Sequence, residues 1–456
     1  MGLEVRAYSS LDEIAPLAGR LDALNLASRR PTPFATCGYL RAYLAFDEHA
    51  RAGSAPLLLV AFDGSEPVGF LPMRTAPVGT LGLGATRVEL LATHDTDRLT
   101  LASRPDDELR CRDAFLEHLT RRGGWSGLVW RTQDLDSPLA LQRAPPGYRL
   151  RSFPGDDFCA IPLAHRDVGG LLRSLEKHHR ANVRRLARRL LGAGGVEHVS
   201  SRGTGGAPEL LELFLDVERR SWKRRACSGV GRNPMRVALF RALCGPAAPT
   251  GEPVFHFVLL DGVPVAAAMG TSFAGVLYLR EIAFDEGFAA LGPGNLLLLL
   301  VLRDAIAQGE REANLLNLHA YYKARWGAAV TATVDVQLFR VGGILWARAL
   351  AGDMRRRIRA ALGLPPRLPE VASRRDLAPE DRSAAAEAPG ALGRAAERSR
   401  AAQLLASLEA SGVRLRRLSG RELEAALPLD EGGQAQESRR RSDRAATSAG
   451  GAPGGR

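Results

Sequence analysis

The sequence has 456 residues, of which 45% are hydrophobic, so it is long enough for two or three domains with sizeable cores. It contains no run of about 18 apolar residues, which argues against a transmembrane helix, and its first residues lack a basic and apolar signal pattern. The net charge is +12, but +7 of it falls in residues 346–456, so the basic composition alone is poor evidence for a nucleic-acid enzyme.

The five cysteines are scattered and include no Cys-x-x-Cys pair, which predicts buried, reduced thiols. Such usage is typical of a cytoplasmic protein and argues against a disulfide framework or a zinc site. We therefore expect a cytoplasmic location, no membrane partner and no bound metal.

Residues 1–165 are predicted to form a first α/β unit around a β-hairpin. Its strands are Leu57–Phe62 and Pro67–Met73, joined through an Asp63-Gly64 turn. Further along, His94–Asp97 is a polar cluster that follows an apolar run. In one interpretation the cluster contacts substrate across an inter-domain cleft; in the other it is a turn with side-chain hydrogen bonds.

Residues 166–345 are predicted to form a second α/β unit, which begins with a basic amphipathic helix over Val168–Leu191. Seven side chains of this helix are cations: Arg173, Lys177, Arg180, Arg184, Arg185, Arg188 and Arg189. Either they form a solvated face, or they hold a phosphate-bearing donor such as coenzyme A, a phosphopantetheine arm or a tRNA backbone.

A second helix, over Leu210–Lys223, ends beside a glycine-rich loop, Cys227–Gly231. A mobile loop at this point is suited to close over a substrate. Trp222, near the end of the helix, either contacts the substrate or anchors the core.

The hairpin pattern occurs a second time, with strands over Phe255–Leu260 and Val263–Met269 on either side of an Asp261-Gly262 turn. Asp63 and Asp261 are 198 residues apart. The recurrence predicts a duplicated unit, whereas the alternative is coincidence between two common turns.

The second hairpin leads through a strand over Val276–Leu279 to Gly292-Pro293-Gly294-Asn295, a helix over Leu296–Gln308 and a strand over Asn314–Leu318. The N–H groups of a first helical turn lack intrahelical partners and carry partial positive charge, and glycines permit close approach. Asn295 is also a helix-capping residue type. This order suits a cofactor phosphate at the start of the helix, and a simple Gly-Pro-Gly turn is the structural alternative.

Several motifs occur in an order found in a known family. They are Leu175–Arg185, Glu218–Lys223, Phe284-Asp285, Gly292–Leu296 and Tyr322-Lys323-x-x-Trp326-Gly327. Over residues 171–338 the sequence resembles the CelD-type acyltransferases of the GNAT superfamily, which are relatives of the Fem-type aminoacyl transferases. The resemblance implies an α/β (α+β) fold of two tandem GNAT-like halves, each a mixed twisted sheet flanked by helices, in which the first half walls the site.

The resemblance also implies direct acyl transfer from acyl-CoA, or another phosphopantetheine thioester, to the amine of a small molecule or an amino acid, without a metal. The predicted site residues are, for catalysis, Glu281, Tyr322, Lys323 and His319; for the cofactor, Gly292, Pro293, Gly294, Asn295 and Arg184; and for the substrate, Trp222 and Asp285.

Each predicted catalytic residue has a stated role and an alternative. Glu281 accepts the proton of the amine, with Asp285 as second choice, or it forms a salt bridge to Arg280 or a helix cation. Tyr322 protonates the leaving thiolate or packs against its neighbours. Lys323 binds a phosphate or a carbonyl oxygen.

The sequence departs from the family pattern just before Tyr322. An acidic residue and a glycine usually stand near the places of Asn314 and Leu318, and His319 follows. His319 is a possible substitute for the acid, because its ordinary pKa is close to neutral. Otherwise the departure implies altered specificity or an inactive site.

The composition changes after residue 345. Residues 346–400 are rich in Ala, Arg, Glu and Pro, which predicts a flexible or loosely helical linker. Residues 401–430 predict a short helix–strand element that resembles the start of the docking domains of nonribosomal peptide synthetases. Residues 431–456 are predicted to be disordered by composition.

Three functions follow from these features. The first is a CoA-dependent N-acyltransferase with a small amine acceptor. The second keeps the fold and takes aminoacyl-tRNA as donor, because of the basic helix. The third is a degenerate transferase fold that binds a carrier protein or synthetase through its C-terminal segment.

Overall fold

The computed structural model describes residues 2–46, 53–80, 83–92, 96–226, 228–245, 251–317, 321–361 and 391–427. Within these ranges the strands are, in chain order, β1 (Glu4–Tyr8), β2 (Ala55–Asp63), β3 (Glu66–Thr80), β4 (Leu83–Leu90), β5 (Ala102–Ser103), β6 (Gly127–Asp134), β7 (Tyr148–Pro154), β8 (Phe158–Pro162), β9 (Val196–Arg202), β10 (Glu252–Leu260), β11 (Val263–Phe273), β12 (Val276–Phe284), β13 (Glu312–Asn317), β14 (Ala329–Thr331), β15 (Thr333–Arg340) and β16 (Leu415–Ser419).

The α-helices of the same ranges are α1 (Ala18–Leu26), α2 (Cys37–Phe46), α3 (Glu108–Arg122), α4 (Val168–Ser174), α5 (Lys177–Leu191), α6 (Ala207–Arg219), α7 (Lys223–Ala226), α8 (Pro234–Cys244), α9 (Pro293–Ala307), α10 (Tyr321–Arg325), α11 (Ile344–Ala361), α12 (Ala391–Ala410) and α13 (Gly420–Ala426).

The strands form two mixed sheets with helices packed against them. The first sheet has the order β1-β2-β3-β4-β6-β15-β7, with the short β5 paired to β3, and the second has the order β14-β8-β13-β12-β11-β10-β9-β16. The predicted α/β architecture of two mixed sheets flanked by helices is thereby confirmed. The segment predicted to be disordered, 431–456, lies outside the described residues.

The two sheets share a topology. Strands β1 to β4 pair antiparallel in sequence, and β4 then pairs parallel with β6. Strands β9 to β12 repeat this arrangement, and β12 pairs parallel with β13. A parallel pair needs a crossover connection, which α3 supplies in the first sheet and α9 in the second.

The sheets also exchange strands across the predicted boundary at residues 165 and 166. Strand β8 precedes the boundary but pairs with β13 in the second sheet. Strand β15 follows it but pairs with β6 and β7 in the first sheet. The domain boundaries stay a prediction, and the exchange interlocks the two units they separate.

The repeated hairpins correspond to each other with an offset that differs by one residue from the predicted one. A bulge directly follows Pro67 in the first hairpin, where Phe62 pairs with Pro67, and the same bulge directly follows Pro264 in the second, where Leu259 pairs with Pro264. The structural offset is therefore 197 residues, so Asp63 corresponds to Leu260 rather than to Asp261.

Two predicted helices are each broken into two. The helix predicted over 168–191 is interrupted at Leu175, whose backbone is extended, with φ −73° and ψ 154°. Arg180 stabilises the break, because its guanidinium donates to the carbonyl oxygens of Arg173 and Leu175. The helix predicted over 210–223 ends at Arg219 and resumes as α7.

The C-terminal segment folds onto the second sheet. The described parts of the predicted linker are helical, because α11 reaches Ala361 and α12 begins at Ala391. Strand β16 pairs antiparallel with β9 at the edge of this sheet. Leu405 of α12 is buried in the hydrophobic core on one face of the same sheet. The segment predicted to dock on another protein therefore covers a sheet of its own chain.

We expect Leu405→Ala to lower the free energy of unfolding by about 2 to 4 kcal/mol, because the side chain is 1% exposed and its removal leaves a cavity. Urea denaturation followed by circular dichroism measures the change. Gln403→Ala, on the exposed face of the same helix, is the control and should have no measurable effect. Equal stability of the two variants would mean that α12 is not packed on the sheet in solution.

The cysteines were predicted to be buried, reduced thiols. Among the described residues Cys37, Cys111, Cys159 and Cys244 are free and buried. None of the described helices combines the length and apolar character needed to cross a lipid bilayer.

Candidate active site

A gap opens in the second sheet between β12 and β13. Within the described residues the two strands pair only from Val276 to Tyr278, with Glu312 to Asn314 opposite. Strand β12 continues to Phe284 and is bulged at Arg280, where its register against β11 shifts. Beyond Tyr278, this edge of β12 therefore faces the gap without a strand partner among the described residues.

The start of α9 lies at the far end of β12. Gly292 precedes the helix with φ 65° and ψ 43°, a left-handed conformation that favours glycine. A Cβ atom on Gly292 would lie 2.9 Å from Leu186 Cδ1 of α5, and one on Gly294 would lie 3.2 Å from the Phe284 ring. The two glycines thus allow α5 and β12 to approach the first turn of α9.

The structure places two further residues that were predicted to hold the cofactor, Asn295 and Arg184. The helix starts at Pro293, so the predicted cap Asn295 lies inside the first turn, and no side chain caps α9. Asn295 instead donates its main-chain N–H to Gly292 O at 3.0 Å. Arg184 lies on α5, two residues before Leu186, and is 8% exposed.

Glu281 is held by two cations on the α6–α8 side of the sheet. Its carboxylate pairs with Lys223 Nζ, and Arg236 Nη2 lies 3.1 Å from Oε1. The three side chains are only 11 to 14% exposed. The predicted alternative of an ion pair with a helix cation is therefore present, since Lys223 belongs to α7 and Arg236 to α8.

Tyr322 is electrostatically coupled to Glu281. Although the residue is 45% exposed, desolvation raises the pKa of its hydroxyl to about 12, and the charges of Glu281 and Cys159 add to the increase. The phenol therefore keeps its proton at neutral pH.

The Lys323 side chain binds main-chain carbonyl oxygens at the end of β13. Its ammonium donates to Leu315 O at 2.7 Å and to Asn317 O at 2.8 Å, and burial lowers its pKa to about 8. These bonds stabilise the left-handed residue between them, Leu316, with φ 61°. In this structure the amine is committed to protein carbonyls rather than to a ligand.

Asp285 has a structural role in place of the predicted contact with substrate. The residue is 2% exposed, its Oδ1 accepts the main-chain N–H of Gly287, and its Oδ2 accepts Arg220 Nε at 2.7 Å. It thereby caps the short 3₁₀-helix over Glu286–Leu291. Trp222 is 39% exposed, which removes the alternative that it anchors the core.

Asn314 connects the second sheet to the first unit. Its Nδ2 donates to Asp97 Oδ2 at 2.7 Å, and its Oδ1 accepts the N–H of Leu316 at 2.8 Å. Asp97 belongs to the polar cluster that was singled out as a cleft residue or a turn, and it reaches across to β13. The predicted base His319 and its neighbour Leu318 lie outside the described residues.

We expect Asp97→Asn to stabilise the fold at neutral pH by about 2 to 3 kcal/mol. Burial raises the pKa of Asp97 to about 6, against opposing effects of Arg98 and Asn314. A raised pKa means that the folded state binds the proton more tightly, so wild-type stability is lost as the pH rises through about 6. The variant should match the wild type near pH 4 and exceed it at pH 7.5 in urea denaturation. A variant that is less stable at pH 7.5 would contradict this.

One group of metal-ligand types occurs among the described residues. Ligand atoms of His198, His256 and Asp304 lie within 4.8 Å of one another, and His198 Nε2 is 3.1 Å from His256 Nδ1. The Asp304 carboxylate already binds Arg303 at 2.6 Å and accepts from Ser200 at 3.2 Å. Arg303 already offsets the charge of this carboxylate. The group also lies away from the gap, because β11 separates β10, which carries His256, from β12. We therefore assign the group a structural role.

Sequence reasoning missed Lys223 and Arg236 as neighbours of the site. The sequence did contain a signal for Lys223, because this residue follows Trp222 in the Glu218–Lys223 motif.

The glycine-rich loop is fixed by Glu218, which accepts the N–H groups of Val230 at 3.0 Å and Gly231 at 2.8 Å. The described part of the loop is thus anchored to α6.

A comparison with family models matches residues 177–324 to the acetyltransferase (GNAT) domain. A comparison with curated protein sequences gives no match.

Solved structures give similar folds at low sequence identity. FemX is 10% identical with a TM-score of 0.51, over 73% of this chain and 96% of FemX. A conserved protein of unknown function from Bacteroides thetaiotaomicron is 10% identical with a TM-score of 0.49, over 74% and 100%. A tandem GNAT protein from the clavulanic acid biosynthesis pathway is 14% identical with a TM-score of 0.40, over 74% and 98%. The likeness to FemX shows a common fold.

Proposed function

We propose that the chain is an N-acyltransferase that uses acyl-CoA or another phosphopantetheine thioester, because residues 177–324 match the acetyltransferase (GNAT) domain. The acceptor is the amine of a small molecule or an amino acid. One observation carries the proposal: beyond the end of its pairing with β13, β12 carries Glu281 and then reaches Phe284, which lies against Gly294 in the first turn of α9. Within the superfamily we assign the chain to the CelD-type branch on its ordered motifs.

The donor diphosphate binds at the first turn of α9 in this proposal. Helix geometry leaves the N–H of Gly294 without an intrahelical partner, and the helix start carries partial positive charge. The left-handed Gly292 brings the main chain close to this point without a side chain. The pantetheine arm then lies in the gap and can bond to the free edge of β12.

The acyl carbon lies near the bulge of β12, where Glu281 and Tyr322 interact. The acceptor ammonium gives a proton to Glu281, directly or through water, and the neutral amine attacks the thioester carbonyl. The new C–N bond forms and the C–S bond breaks. Tyr322 protonates the leaving thiolate, the second nitrogen proton passes through water to the Tyr322 phenolate, and the proton on Glu281 is released to solvent. The raised pKa of Tyr322 keeps the phenol protonated until the thiolate forms.

Lys323, Asn314 and Asp97 position the wall of the gap. Lys323 and Asn314 hold the irregular end of β13, and Asp97 holds Asn314 from the first unit. This arrangement supports the expectation that the first unit walls the site rather than binding the cofactor.

The proposal is tested by incubating the full chain with a panel of acyl-CoA donors and amines. Release of free CoA thiol should depend on the amine, and mass spectrometry should show the N-acylated product. Calorimetric titration with acyl-CoA supplies a second readout that needs no acceptor. Absence of both acyl-CoA binding and thiol release would contradict the assignment.

A second candidate uses aminoacyl-tRNA as the donor, as the Fem-type relatives do. The exposed cations Lys177, Arg185 and Arg189 on α5 favour it. Neutralising phosphates releases counterions, so tRNA affinity should fall steeply between 50 and 200 mM salt in this case. Weak, salt-independent tRNA binding together with CoA release would reject this candidate.

A further inference from the structure

We infer that Glu397, on helix α12 of the C-terminal segment, is a positioning residue for the donor site of the transferase. It acts through Arg220 and Asp285, which fix the turn that leads into α9. The inference rests on the proposed function and gives the C-terminal segment a part in it.

Arg220 connects the end of α6 to β11 and to the short 3₁₀-helix before α9. Its Nε donates to Asp285 Oδ2 at 2.7 Å, and its Nη2 donates to the Pro264 carbonyl oxygen at 2.8 Å. Its own carbonyl oxygen accepts the main-chain N–H of Glu286 at 3.1 Å. The Arg220 side chain is only 16% exposed, so water competes poorly for these bonds. Arg220 therefore holds the start of the 3₁₀-helix through both its side chain and its main chain.

The 3₁₀-helix over Glu286–Leu291 ends directly before Gly292, the residue that precedes α9. None of its six residues is buried, so the contacts at its ends contribute much of what fixes it. At its start Asp285 accepts the N–H of Gly287 at 2.9 Å as well as the Arg220 guanidinium. A change in the position of Arg220 therefore reaches the first turn of α9, where the donor diphosphate is proposed to bind.

Helix α12 supplies a second carboxylate to the same guanidinium. Glu397 Oε1 lies 3.3 Å from Arg220 Nη1, and the Glu397 side chain is 23% exposed. Its other oxygen, Oε2, is buried and has no hydrogen-bond partner among the described residues. One turn further along α12, Arg400 Nη1 lies 3.6 Å from the Asp216 carboxylate of α6. The two ion pairs place α12 against the end of α6, with Glu397 beside the Arg220 guanidinium.

The Glu397 charge orients the whole guanidinium. This group is planar and its N–H bonds point in fixed directions, so a partner at one nitrogen constrains the other two. Without the charge, Arg220 Nη1 keeps the main-chain oxygen of Asp216 at 3.2 Å, and a neutral oxygen holds a cation less strongly than a carboxylate does. The start of the 3₁₀-helix is then less fixed, and donor binding has to supply the lost order.

The test measures the acyl-CoA affinity of Glu397→Gln in the full chain by calorimetric titration. We expect the dissociation constant to rise about three- to tenfold, because the residue acts on the donor site without contacting the donor. The value of kcat at saturating acyl-CoA should stay unchanged, because proton transfer at Glu281 is not affected.

Glu409→Gln is the matched control. Glu409 lies on the same helix and also forms an ion pair, with Arg417 at 2.8 Å, so the substitution removes an equal charge without altering the surroundings of Arg220. This variant should bind acyl-CoA as the wild type does.

A double-mutant cycle tests the path through Asp285. Asp285→Asn should also weaken acyl-CoA binding without lowering kcat at saturating donor, because it loosens the same turn. Adding Glu397→Gln to it should then cost little further affinity, since coupled residues are not additive. A merely structural role of Glu397 would lower stability and leave the affinity of the folded protein unchanged.

The outcomes separate the inference from the function. Wild-type affinity of Glu397→Gln, an equal loss in Glu409→Gln, or fully additive losses in the double mutant overturn the inference and leave the transferase intact. No acyl-CoA binding and no thiol release by the wild type overturn the function and the inference with it. The stoichiometry of the titration reports the folded fraction, so a partial folding defect does not hide the result.

Discussion

We expect Gly292→Ala to weaken acyl-CoA binding by about tenfold or more, which corresponds to at least about 1.4 kcal/mol. The left-handed conformation costs an L-residue about 1 to 2 kcal/mol, and the new methyl group meets Leu186 at 2.9 Å. Relief of this contact shifts α5 or the first turn of α9, where the diphosphate is proposed to bind. Calorimetric titration with acyl-CoA, well below the melting temperature, measures the effect.

Gly309→Ala is a matched control at the other end of the same helix. Gly309 has a φ of 75°, so the substitution carries similar backbone strain, but a Cβ there meets nothing within 4 Å. This variant should lose stability and keep its acyl-CoA affinity. Leu186→Ala combined with Gly292→Ala should recover part of the affinity, because the methyl group then has room. Equal acyl-CoA affinity of the wild type and Gly292→Ala would place the donor elsewhere.

Glu281→Gln is expected to lower kcat by about 100- to 10,000-fold, the usual contribution of a positioned proton acceptor. The substitution keeps the shape of the side chain and its acceptor oxygen, while removing the charge that receives the amine proton. Donor affinity should change little, because the diphosphate is proposed to bind about 10 Å away. Steady-state kinetics with saturating acyl-CoA and a parallel binding titration distinguish the two effects.

Asp285→Asn is the control for the loss of a buried carboxylate. Like Glu281→Gln, this substitution removes the charge of one member of a buried ion pair, here the pair of Asp285 with Arg220 at 2.7 Å. A loss of stability is therefore expected in both variants. Only Glu281→Gln should lose turnover beyond the loss of folded protein. If Asp285→Asn loses kcat to the same extent, Glu281 has no special chemical role and Asp285 regains its predicted place at the substrate.

Local sequence patterns predicted the elements that depend on short-range geometry. The two hairpins follow from Gly-containing turns between apolar runs, and the start of α9 follows from a glycine that tolerates a left-handed backbone. Such features are decided by the dihedral angles of a few neighbouring residues. The order of the motifs from Leu175 to Trp326 likewise indicated the GNAT superfamily, and this order does not depend on tertiary contacts.

Other local patterns were misread because a tertiary contact decided them. Asp285 looked like a substrate residue, but Arg220 and a helix cap use its carboxylate. The apolar stripe over 168–191 continued past Leu175, although the backbone turns there. Hydrophobic periodicity records which side of a segment is buried and does not record where the helix is interrupted.

The sequence by itself determined the class of fold, the repeated hairpin and the glycine-led helix, because each arises from neighbouring residues. Only the tertiary structure decided that β8 and β15 cross to the opposite sheets, that Asp97 bonds to Asn314, and that two helix cations hold Glu281. These partners lie 45 or more residues apart, and strand order and side-chain pairing depend on the packing of whole units. The chemistry of the site is therefore set by contacts between segments that no local pattern connects.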